Sequence, residues 1–201
     1  MKSTSKTIMY SSAILIVALF GINLINSLLY SKFVPLSNIK FVIGILLIIV
    51  PLVFRSSLLK RLSNTSITLY FLFIFFTLYL GETYGFYYKW DHFDSMLHIY
   101  SGGLLTLVSY EILLPVYSKS KVSERLLLLT STTVSMTLGV FWEFYEYIFD
   151  GLMNLNMQRY LGLSERDVLF DTIKDMACNM LGISIVAIII AINFRKKRTN
   201  P

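Results

Sequence analysis

Long, largely apolar runs separated by short polar breaks are the feature that most constrains this chain. A helix needs about 20 such residues to cross a bilayer. The runs lie at about 8–30, 39–54, 66–88, 93–117, 124–149 and 171–193. Six of them predict an all-α, polytopic transmembrane helical bundle, read as a single integral membrane domain over 1–201. The run 39–54 is short and fits a tilted span, a thinned one or a re-entrant segment. Between the first two runs, 31–38 reads as a turn containing Pro35. Lys2 and Lys6 precede the first run in the manner of a signal peptide. That run is too long for a signal core and no small-residue cleavage site follows it, so it is read as the first span.

The net charge of +6 does not point to nucleic acid, because the basic residues sit in short loops and at the ends of apolar runs. With six spans, 12 of the 18 Lys and Arg fall on one side, including Arg195, Lys196, Lys197 and Arg198. The positive-inside rule then predicts both termini in the cytoplasm. The one cysteine, Cys178, excludes an intrachain disulfide. Tyr84, Phe86, Tyr87, Tyr88 and Trp90, with Trp142, Tyr145 and Tyr147, form aromatic belts expected at the outer interface.

Acidic residues take the opposite side. Of the twelve Asp and Glu, only Glu111 and Glu124 fall toward the cytoplasmic end. The others gather at the outer ends of spans three to six, with both histidines, His92 and His98. Three runs carry polar stripes at helical spacing: Asp91, Asp94, His98 and Gly102; Glu143, Glu146 and Asp150; Asp171, Asp175 and Asn179. A carboxylate facing lipid costs about 2.5–3.5 kcal/mol, so the stripes are expected to face one another. Glu82, between Gly81 and Gly85, either reaches this cluster or pairs with a base. Glu165, Asp167 and Asp150 read as solvated loop or cap residues, and Asp94 and Asp171 as helix-starting carboxylates.

So many acids cannot all stay ionised in a low-dielectric site without protons or a cation. Carboxylates and an imidazole projecting inward from several helices are how bundle metal sites are built. The ligand set His98, Glu143, Glu146, Asp171 and Asp175 suits a divalent metal: Zn, Mn, Fe or, with a peripheral histidine, Mg. Glu146 and Asp94 are the candidate catalytic acid–base groups.

Asp94-x3-His98-x3-Gly102, Glu143-x2-Glu146 and Asp171-x3-Asp175-x3-Asn179-x2-Gly182 together resemble the YjdF-type bacterial inner-membrane proteins. The His98 and Asp175–Gly182 parts are also distantly similar to VanZ-like membrane proteins. The likeness covers about the last 120 residues. It implies a multi-pass protein of the bacterial plasma membrane with no assigned reaction, and the VanZ-like part implies a link to the cell envelope. Two function classes follow. One is a metal-dependent enzyme acting on a membrane lipid or lipid-linked envelope molecule. The other is a proton- or cation-coupled transport or sensing module. A structural partner of another membrane protein is a third reading.

Overall fold

The computed structural model describes residues 2–30, 35–57, 59–120 and 122–199, with side chains omitted at 2, 35–37 and 195–199. Of the turn expected at 31–38, residues 31–34 lie outside the described residues and 35–38 are instead the first turn of a helix, where Pro35 is tolerated because a first-turn N–H has no helical partner to lose. The protein is 86% helical, and among the described residues six apolar helices are long enough to cross a membrane. The helices are α1 (Lys2–Tyr30), α2 (Pro35–Val53), α3 (Asn64–Ile74), α4 (Phe86–Lys89), α5 (Phe93–Lys119), α6 (Glu124–Met153) and α7 (Glu165–Thr199). The run 39–54 is part of one of the six long apolar helices, Asn38–Ser56.

Contacts divide the chain into two compact units, 1–93 and 94–201. In the first, α1, α2 and α3 bury Met9, Ala13, Ile16, Phe20, Phe41, Ile48, Ile67 and Phe71. The third span does not run to Tyr88 as an α-helix. It widens into a π-helix at Phe75–Thr83 and breaks at Gly85, whose φ of +69° is open to glycine without strain. The wide turns place Tyr79 against the Phe20 ring edge, with its hydroxyl 3.1 Å from Asn23 Nδ2. Glu82 is exposed at the end of this segment, and its carbonyl accepts from Lys40 Nζ at 3.2 Å.

The second unit holds α5, α6 and α7. Ser123 caps α6, its hydroxyl accepting from Leu126 N. Helix α7 starts six residues earlier than the sequence suggests. The Ser164 hydroxyl accepts from Asp167 N at 3.3 Å and donates to its carboxylate at 2.6 Å, a local cap. Asp171 therefore lies in the second turn rather than at the helix start. Two glycine crossings bring α5 and α7 together. A Cβ on Gly182 would meet the Ile99 carbonyl oxygen, and one on Gly102 would meet the Asn179 carbonyl oxygen. Such backbone approach needs glycine, and it is how helices associate in lipid. The Ser135 hydroxyl of α6 donates to the Gly102 carbonyl at 3.0 Å and ties the third helix to the same crossing.

Candidate metal centre

One turn above the glycine crossing, α5 presents His98. Its imidazole is 5% exposed and faces acids from all three helices. Nε2 lies 3.9 Å from Asp94 Oδ1, four residues back on α5, and 3.8 Å from Asp175 Oδ2 of α7. Nδ1 lies 3.7 Å from Glu143 Oε1 of α6. Asp94, His98 and Asp175 each offer a ligand atom, and these atoms fall within 4.8 Å of one another.

Those separations exceed hydrogen-bond reach. Bonds of about 2.0–2.1 Å from zinc put tetrahedral ligand atoms about 3.3 Å apart, so a cation here would have to draw the trio in from a spread of up to 4.8 Å. Two acids are also left short of partners. Glu143 Oε1 and Asp175 Oδ1 are buried with no hydrogen bond, and the two residues are 4% and 3% exposed. Buried polar atoms are nearly always satisfied, and an unpaired carboxylate oxygen is costly.

Two basic side chains touch the acids from outside the trio. Arg159 forks onto both oxygens of Asp94, and Lys174 pairs with Asp171 while standing 3.9 Å from Asp175 Oδ1. Neither residue was singled out by sequence reasoning. Lys174 is adjacent to Asp175 and was legible by spacing alone. Arg159 is 65 residues from Asp94, in the loop after α6. That loop is built to deliver it. Asn154 closes α6 in the left-handed region, and Arg159 itself has φ +51°, a costly conformation for a bulky residue that the surrounding bonds hold.

Asp150 anchors those bonds. It is buried rather than solvated, and its two oxygens accept from the backbone N–H of Met157 at 2.7 Å and Gln158 at 2.9 Å. Bonds to a charged acceptor are worth about 1.5–3 kcal/mol. Asp150→Ala should therefore lower stability by about that amount or more in thermal unfolding. Asp150→Asn, which keeps one acceptor, should recover part of it.

The remaining sequence candidates sit apart from the trio. Glu146 is half-buried and accepts from Trp142 Nε1 at 2.8 Å. Asp171 is held by Lys174. Asp91 and His92 are exposed in the turn before α5. On α6 the buried pair is Glu143 and Asp150, seven residues and about 20° apart around the helix, whereas Glu146 is turned about 60° from Glu143.

A cleft of about 920 Å³ opens between α6, α7 and the loop. Its wall is mostly apolar, with Val140, Phe144, Tyr147, Ile148, Val168, Leu169 and Met176. Glu143 lines this cleft and also borders His98, so it is shared by the cleft and the acidic centre.

No curated protein and no solved structure matches the chain. A family described as predicted membrane protein matches residues 8–196, nearly the whole length, and the chain belongs to that family, DUF2238.

Proposed function

We propose that the protein binds a divalent cation between Asp94, His98 and Asp175 and uses it to act on a membrane lipid or lipid-linked envelope molecule. The observation that carries this reading is the convergence of three ligand atoms on a buried point where Asp175 keeps an oxygen without a hydrogen bond. A cation there would offset the acid surplus and lower the pKa of a bound water. Glu143, with one free oxygen beside the centre and its side chain in the cleft wall, would take the proton from that water as general base. The geometry favours it over Glu146, whose carboxylate is engaged by Trp142. Asp171 and Glu146 act as outer groups in this scheme. Zinc, manganese and iron suit the mixed oxygen and imidazole donors best.

The cleft supports the substrate class. It is large enough for acyl-chain segments, its wall is mostly apolar, and it leads to a carboxylate. The basic bias of the other loops supports placing this end of the helices on the outer side of a bacterial plasma membrane, with both termini cytoplasmic. The resemblance of the His98 and Asp175–Gly182 parts to VanZ-like proteins supports an envelope role.

A second reading, cation or proton transport, is favoured by buried hydroxyls along α5 and α6. Thr106, Ser109, Ser131 and Ser135 are all buried on helices that carry the site. One experiment separates the readings. Detergent-purified protein, prepared without chelator, is titrated with zinc and manganese by calorimetry, and the same preparation is assayed for flux in vesicles. The enzyme reading expects one cation per chain, lost in His98→Ala, and no flux. A protein that takes up no metal ends the metal proposal, and cation flux across vesicles moves the assignment to transport.

A further inference from the structure

The hydrogen bonds around His98 Nδ1 carry information that the ligand set alone does not. Asn179, 2% exposed on α7, places its amide 3.3 Å from His98 Nδ1. Ser101 Oγ lies 3.1 Å from the other end of that amide and 3.0 Å from the His98 carbonyl oxygen. A hydroxyl has one proton. With the amide nitrogen toward the ring, Ser101 must donate to the amide oxygen and its contact with the His98 carbonyl is left unmade. With the amide turned over, all three contacts are made at once. His98 Nδ1–H donates to the Asn179 oxygen, the Asn179 NH₂ donates to Ser101 Oγ, and Ser101 donates to the His98 carbonyl. The oxygen and nitrogen of an amide are assigned by such networks.

Charge is close to balanced across the ring. Glu143 Oε1 stands 3.7 Å from Nδ1 and, among the described residues, has no basic partner other than His98. A lone pair on Nδ1 would face that carboxylate, whereas a proton there is attracted to it. On the Nε2 side, Asp94 carries Arg159 and Asp175 has Lys174 at 3.9 Å. Lys174 is bonded to Asp171, so each side of the ring keeps one carboxylate with no bonded base, Glu143 at Nδ1 and Asp175 at Nε2, and the hydrogen bonds decide the tautomer.

We infer that Asn179, steadied by Ser101, presents its carbonyl oxygen to His98, fixes the proton on Nδ1 and turns the Nε2 lone pair toward Asp94 and Asp175. Asn179 is thus a positioning residue for the centre proposed above, on which this inference rests. It gives the imidazole the one tautomer in which Nε2 can ligate a cation, a role that outer partners of metal-bound histidines commonly fill. Gly139 makes room for it: a Cβ there would come within 2.8 Å of the Asn179 amide atom that faces His98.

The test uses a His92→Gln background, which leaves His98 as the single histidine. Nitrogen-15 correlation spectra of the imidazole report the tautomer directly. In metal-free protein at about pH 9, where the ring is neutral, the expected result is a dominant Nδ1–H form. Asn179→Asp, an acceptor with no donor, keeps that form, while Asn179→Leu and Ser101→Ala shift the population toward Nε2–H. A dominant Nε2–H form in the unsubstituted ring environment overturns the inference, whether or not zinc binds. Zinc is then added as the probe. Nε2 is the nitrogen expected to bind it, with affinity falling about 10–100-fold in Asn179→Leu and not in Asn179→Asp. Zinc on Nδ1 also overturns the inference. Absence of zinc binding with the Nδ1–H form intact removes the cation proposal and leaves the tautomer assignment standing.

Discussion

Alanine in place of Gly182 is expected to be the most destabilising single substitution in the second unit. The added methyl group would sit on the Ile99 carbonyl oxygen, with Gly103 N 3.0 Å away, so the obstruction is backbone on both sides. A side chain in the way can rotate, but a helix backbone can only translate. Overpacking typically costs about 1–3 kcal/mol, and this contact belongs at the upper end or beyond. Separation of α5 from α7 would also draw His98 away from Asp175, so zinc binding should fall with stability. Thermal unfolding in detergent and zinc titration of the same sample check both effects. An alanine variant with unchanged melting and unchanged affinity would show that the crossing is looser than described. Gly21, with no atom within 4 Å of its Cβ position, is the control: Gly21→Ala should be neutral or mildly stabilising.

Asp175→Asn should separate binding from stability in opposite directions. In the metal-free protein, Asp175 is a 3%-exposed carboxylate among Asp94, Asp171 and Glu143, with one oxygen unbonded. Replacing it by a neutral amide of the same shape removes like-charge repulsion and a buried charge. Melting temperature without metal is therefore expected to rise or hold. Zinc affinity is expected to fall by more than the about 10–100-fold typical of losing an outer partner, because a direct ligand is lost. The zinc-dependent increase in melting temperature, which follows from ligand linkage, should disappear with it. If the acids are a structural network instead, the variant melts lower and zinc makes no difference in either protein. Those signs distinguish the two cases without knowledge of a substrate.

The spans were legible because a bilayer imposes one length and one composition on every crossing helix. Their ends were less so. The third span stops at Thr83 in a π-helix, since nothing in the apolar pattern marks a change from four to five residues between hydrogen-bonded groups. Helix α7 starts at Glu165 because the Ser164 cap outweighs the polar character of that first turn. Within the site, spacing was a good guide only to the nearest helical neighbour. Asp94 with His98, and Asp175 with Asn179, are four residues apart and share a face. Glu143 and Glu146 are three apart and meet different partners: one faces His98 and the other accepts from Trp142. Arg159 could not be reached from the sequence at all. Its place depends on a left-handed residue in a loop and on Asp150 gripping two backbone amides, neither of which leaves a periodic trace.

That grip has a further consequence. Amides in an irregular surface loop ordinarily exchange hydrogen with water almost at once, yet Met157 and Gln158 donate theirs to a buried carboxylate. They can exchange only when the loop lifts, and the next residue along is the arginine paired with Asp94. These two protons therefore act as a clock for the departure of that positive charge, running at a rate set by how firmly the acids below hold it.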